Sequence, residues 1–156
     1  MLLAGLLISV PGLVAQDDHH SALDKGGDHI MGFSHEKTTH HFRLYANGGA
    51  IDVTANDAKD TQSRDQIRMH LSHIAGRFAA GNFRAPMLIH DQAPPGVPTL
   101  QRLKTEVSYR FEEIPNGGRV RIATENQEAL AAVHEFCSFR SPNTALATPW
   151  TWRNKP

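Results

Sequence analysis

The 156-residue chain has a single cysteine, Cys137. That excludes an internal disulfide framework and any thiolate-rich metal cluster. It has no net charge either: 16 Lys and Arg balance 16 Asp and Glu. A dedicated nucleic-acid binder, which ordinarily concentrates basic charge, is therefore not expected. There is no Walker loop, no GxGxxG fingerprint, no GxSxG elbow and no HExxH helix, so the standard nucleotide, hydrolase and zinc-protease sites are absent. With 40% apolar and 21% charged residues, wholesale disorder is excluded, and the length suits one domain with one modest core. What the chain has in quantity is histidine, ten in all.

The first fifteen residues (MLLAGLLISVPGLVA) carry no charge. Leu2 to Val10 has the length of a signal-peptide apolar region and is too short to span a bilayer. Pro11 and Gly12 break the run, and Ala15 before Gln16 offers a cleavage point. The basic residues that ordinarily precede such a run are missing, which points to a start upstream of Met1. The expectation is an exported protein, periplasmic or secreted, with no transmembrane segment in the mature chain. A lone free thiol in such a protein reads as buried and inert. Residues 16–37 read as an extended, polar lead-in.

Residues 38–140 read as one α+β domain of two ββα units. His40 to Tyr45 and Ala50 to Thr54 alternate around Asn47-Gly48-Gly49, a pattern that predicts a hairpin with a type I′ turn. Asp60, Thr61 or Ser63 caps a helix with an apolar stripe of Ile67, Leu71, Ile74 and Phe78. Phe83 to Gln101, with four prolines, reads as a long, stiff connection. The pattern then repeats: Glu106 to Glu112, Asn116-Gly117-Gly118, Arg119 to Ala123, and a helix capped by Thr124 or Asn126 with Leu130, Val133 and Cys137 buried. Either a duplication or two hairpins sharing a common turn produces this text. The expected architecture is a four-stranded antiparallel sheet with both helices on its single apolar face.

Strand parity points His40 inward with Phe42 and Leu44, and His41 outward with Arg43 and Tyr45. His70 lies about 70° and His73 about 130° from the centre of the helix stripe. His134 adjoins the buried face of the last helix. His40, His70 and His134 are thus expected to converge between sheet and helices, with His41 and His73 as further candidates. Imidazole suits Cu and Zn as well as haem iron, so a transition metal or haem is the expected ligand. Half-buried histidines that only bond backbone are equally familiar. His19 and His20 read as a solvated run or an N-terminal metal clip, and His35 and His90 as structural. Cys137 with His134 reads as core packing rather than a nucleophile and base. Asp52, Glu112 and Glu113 belong to a sheet face that normally meets water. On that face Arg110, Glu112, Arg119 and Arg121 form a solvated charge set. Together with Tyr45 such a face suits RNA bases, but export argues against nucleic acid. The alternative to a metal protein is a metal-free module that engages an unknown partner through the outer sheet face and the proline-rich connection. Whether the protein is an enzyme stays open.

Met31-Gly32-Phe33, Thr38-Thr39-His40-His41-Phe42-Arg43-Leu44, Ile67-Arg68-x-His70-Leu71-x-His73-Ile74, Pro95-Gly96-Val97-Pro98 and Ala129-Leu130-x-x-Val133-His134-x-Phe136 together resemble a family of small exported bacterial proteins of unknown function. The likeness covers about residues 28–140. Members sometimes carry an aspartate carbamoyltransferase label. This chain has no Ser-Thr-Arg-Thr-like carbamoyl-phosphate loop and half a transcarbamoylase's length, so the label has no support in its residues. The resemblance implies export, one α+β domain and interest in the same five histidines, and no reaction. It also implies that the last helix continues toward Glu-His-Arg-Thr-Gly-Asp, whereas residues 141–156 have neither helix nor strand period. Synonymous codons for Arg140 to Pro149 exist whose neighbouring frame reads Leu-Thr-Glu-His-Arg-Thr-Gly-Asp-Pro. A frameshift at or just before Arg140 is therefore expected to have produced the tail.

Overall fold

The computed structural model describes residues 31–90 and 93–139. The proposed signal segment, the lead-in up to residue 30 and the tail 141–156 lie outside the described residues. The chain is α+β. Strands β1 (Thr38–Tyr45), β2 (Gly48–Ala55), β3 (Val107–Ile114) and β4 (Gly117–Thr124) form one four-stranded antiparallel sheet in the order β1-β2-β4-β3. Helices are α1 (Thr61–Ala79), α2 (Arg84–His90), α3 (Val97–Arg102) and α4 (Gln127–Ser138).

Both hairpins form where the alternation places them, but the turns differ from expectation. Tyr45 pairs with Gly48 and Ile114 with Gly117. The two-residue turns are therefore Ala46-Asn47 and Pro115-Asn116, and the Gly-Gly pairs open the returning strands. A type I′ turn needs positive φ at both central positions, and proline, fixed near −65°, forbids that at Pro115. The glycines serve a close approach of backbones instead. A Cβ on Gly48 would lie 2.0 Å from the Ile122 carbonyl oxygen, and one on Gly117 would lie 1.9 Å from that of Val53. Gly48 also sits at φ 146°. These are equivalent positions. β1 maps onto β3 and β2 onto β4 with one common offset of 69 residues, and the register across β2 and β4 is symmetric under it.

The helices are exchanged between the repeats. α1 follows β2 but packs chiefly on β4 and β3, while α4 follows β4 and packs chiefly on β2 and β1. Each long helix is covered mainly by the other unit's strands, so the two halves share one core. α1 begins at Asp60, whose carboxylate accepts from the Ser63 amide at 2.9 Å, and its whole expected stripe is buried. α4 begins at Asn126, which accepts from the amides of Glu128 and Ala129. Its buried side is Ala129, Ala132, Val133, Phe136 and Cys137, with Leu130 only half-buried. The connection from Phe83 to Gln101 is not irregular: it holds α2 and α3. Pro98 falls in the first turn of α3, where a missing N–H costs nothing, and Gly96 caps that helix at φ 81°. Phe83 enters the core, stacked on Phe78 at 4.5 Å between centroids, with Phe136 and Tyr109 edge-on to both. The end of the lead-in is not loose either, since Met31 and Phe33 are buried. Among the described residues, no helix is long and apolar enough to cross a membrane.

Candidate metal centre

The histidines divide between two ends of the fold. His40 points from β1 toward the helices, as parity requires, and His70 projects from α1 toward the same seam. Phe33 joins them. Its ring stacks on His40 at 6.1 Å and meets the edge of His70 at 5.5 Å. Burial, reinforced by the neighbouring imidazoles of His70, His41 and His35, lowers the His40 pKa to about 4. Burial, followed by the charges of Arg77 and His73, lowers that of His70 to about 4 as well. Both rings are therefore neutral at neutral pH, the form that ligates metals.

His134 lies elsewhere. Its Nε2–H donates to the carbonyls of Tyr45 at 3.0 Å and Gly48 at 3.2 Å, and two carbonyl acceptors select that tautomer. Five residues of strand separate Tyr45 from His40, a span of about 16 Å. The structure thus does not bring His134 to the other two. Its counterpart in the first repeat explains its place. Arg68 on α1 donates from Nε to the Gly117 carbonyl at 3.1 Å and from Nη2 to that of Ile114 at 3.2 Å. These are the carbonyls that correspond to Gly48 and Tyr45 under the 69-residue offset. Arg68 and His134 each tie a hairpin's turn end to the helix lying over it. His41 is exposed on the outward face opposite Asp52. His19, His20 and the His90 side chain lie outside the described residues. Cys137 is buried, which pushes its thiol pKa up to about 12.

Beside the His40–Phe33–His70 stack runs a groove of about 200 Å³ lined by Met31, Gln66, Met69, His70, His73 and Arg77, among others. Helix periodicity brings Met69, His70 and His73 to one side of α1, and the lead-in lays Met31 across them. Among the described residues, no group of three or more His, Cys, Asp or Glu is placed to hold an ion. The donors at this groove are instead two imidazoles and two thioethers. Sequence reasoning selected the histidines and passed over both methionines. The available signal was Met69, an apolar residue among polar neighbours at helical spacing, Asp65, Gln66, Ser72 and His73, and it is 61% exposed in the structure.

The outward sheet face is built rather than merely solvated. Asp52 is 2% exposed, contrary to the expectation that it meets water. Arg119 donates to its two oxygens at 2.6 and 2.8 Å, and Arg43 donates at 2.6 Å. These bonds and charges outweigh the cost of burial and hold the Asp52 carboxyl below the usual carboxylate range. Arg121 lies over the Tyr45 ring, 4.4 Å from its centroid, and donates to the Gly49 carbonyl at 2.8 Å and to Asn47 Oδ1 at 2.6 Å. Searches among protein families, curated proteins and solved structures each found no match to this chain.

Proposed function

We propose that the protein is an exported binder of a soft transition-metal ion, Cu(I) by its donor set, held at the groove on α1 by His70, His73, Met31 and Met69. The observation that carries this reading is two imidazoles and two thioethers around one small groove. Thioethers select Cu(I) among the biological first-row ions, and imidazole accepts it. The neutral donor set and Arg77 on the rim favour a monovalent ion over Zn(II), because repulsion scales with the charge of the ion. The size of the groove argues against haem: about 200 Å³ falls below the roughly 300–1,000 Å³ of sites for larger organic ligands. His40 and Phe33 form the wall behind His70 and fix the orientation of its ring. No reaction is proposed.

The test is competition for Cu(I) between the untagged protein and a chromophoric chelator under anaerobic conditions. One ion per chain is expected. Met31→Leu, Met69→Leu and His73→Ala should each weaken binding at least tenfold, about 1.4 kcal/mol, with the fold unchanged by circular dichroism. Failure to withdraw copper from a micromolar chelator, or affinity indifferent to all three variants, overturns the reading.

A further inference from the structure

The sheet face turned away from the two long helices carries a second, independent feature. Gly49 and Gly118 face the helix layer, where a Cβ on each would meet Val133 or Leu71 side chains. The residues that alternate with them therefore face away from both long helices. On the two central strands these outward positions are small or anchored: Gly48, Ala50, Asp52 and Thr54 on β2, and Gly117, Arg119, Arg121 and Ala123 on β4. Ala50 is fully buried there, at the level of Arg43 and Arg121 in the ladder. The result is a shallow floor with guanidiniums above it.

The charges on this floor do not balance, although those of the whole chain do. Arg43, Arg110, Arg119 and Arg121 face Asp52 and Glu112. Glu112 pairs in register with Arg119, but Arg110 pairs in register with Arg121. The Arg121 guanidinium leans across β2 onto Tyr45 of β1, so Arg110 is left with no acidic residue opposite it in the ladder. The face already shows what it accepts, because Asp52 is a carboxylate held by two guanidiniums in planar, charge-assisted geometry. Arg121 is pinned by Tyr45, Asn47 and Gly49, so little side-chain freedom remains to be lost on binding.

We infer that this face docks an extended acidic peptide whose carboxylates are received by the outward guanidiniums of Arg43, Arg110 and Arg121. The make-up of the face favours a peptide over a nucleic acid. Sheets that bind single-stranded RNA stack its bases on aromatic rings of their strands. The central strands β2 and β4 present none outward, and the Tyr45 ring on β1 is already covered by Arg121.

Fluorescence anisotropy on the metal-free protein tests this separately from the copper reading. The probes are a labelled oligoglutamate peptide, a labelled oligouridylate of equal charge and a neutral Gly-Ser peptide, each at low and at physiological salt. Binding of the oligoglutamate is expected, weakened by salt, and reduced at least tenfold by Arg110→Gln with Arg121→Gln. Met69→Leu, on the opposite layer, should leave it unchanged. Tighter binding of the oligouridylate, oligoglutamate binding indifferent to the double variant in a folded protein, or no oligoglutamate binding at low salt each overturns the inference.

Discussion

His40 provides the sharpest test of the seam between β1 and α1. In the unfolded chain its imidazole takes up a proton near pH 6.5, and in the native structure burial delays this to about pH 4. Between those values the unfolded state binds a proton that the native state refuses. Acidification therefore favours unfolding across this window, by about 1.4 kcal/mol per pH unit. Above pH 6.5 both states are neutral and the full stability is present. Below about pH 4 both are protonated and the loss stops growing. Over the whole window His40 alone removes about 3 kcal/mol, a large share of the roughly 5–15 kcal/mol that holds an ordinary domain together. His70 acts in the same direction, discounted for its partial contact with water. His40→Phe keeps a ring against Phe33 and cannot titrate. Urea unfolding of metal-free protein from pH 7.0 to 4.0 should show the parent losing stability more steeply, with the two curves diverging by about 3 kcal/mol at the acid end. Parallel curves, or an NMR titration placing His40 near 6.5 in the native protein, refute the reasoning. The Asp52 carboxyl, whose pKa is depressed, acts in a separate window. Its stabilisation is present above its unfolded value near 3.9 and disappears only as pH falls through the lower native value.

Gly48→Val and Gly117→Val should each destabilise by more than about 1 kcal/mol, because the new Cβ meets a carbonyl of the adjacent strand; thermal melts matching the parent would disprove the close approach. Asp52→Asn removes a buried carboxylate and leaves Arg43 and Arg119 facing each other, which should cost about 1–2 kcal/mol in urea unfolding, less than a fully buried pair because both guanidiniums keep contact with water. A change under 0.5 kcal/mol would mean that the arginines are solvated rather than clamped. Cys137 should resist a thiol reagent at neutral pH in the native protein and react fully in denaturant, since burial holds its pKa near 12; prompt native reactivity would refute its burial. The nucleotide sequence decides the origin of the tail: codons at Arg140 to Pro149 that fail to yield Glu-His-Arg-Thr-Gly-Asp in the neighbouring frame end the frameshift expectation.

Local pattern determined a good deal of this protein. Alternation defined the four strands and set the inward parity of His40, Phe42 and Leu44. The 3.6-residue period defined α1 and its buried stripe, and capping chemistry narrowed the helix starts to Asp60, Thr61 or Ser63 and to Thr124 or Asn126, of which the structure uses Asp60 and Asn126. Each of these depends on neighbours within one or two turns of chain, so the residues record it directly. Pattern misread the turns because Asn-Gly commonly sits at a turn's centre, and here the glycines were needed one position later for contact between strands far apart in sequence. It missed α2 and α3 because proline at a helix start resembles proline in a loop. Only tertiary structure decided what each buried face lies against. Periodicity states that a side of a helix is covered and is silent about the cover, so the exchange of helices between repeats, and with it the tie between His134 and the first hairpin, had no local trace. The same holds for Met31 and Phe33 against His70, and for Asp52, an acidic residue on an outward position that two arginines from neighbouring strands close over. In each case the partner is supplied by a segment whose distance along the chain no local pattern encodes.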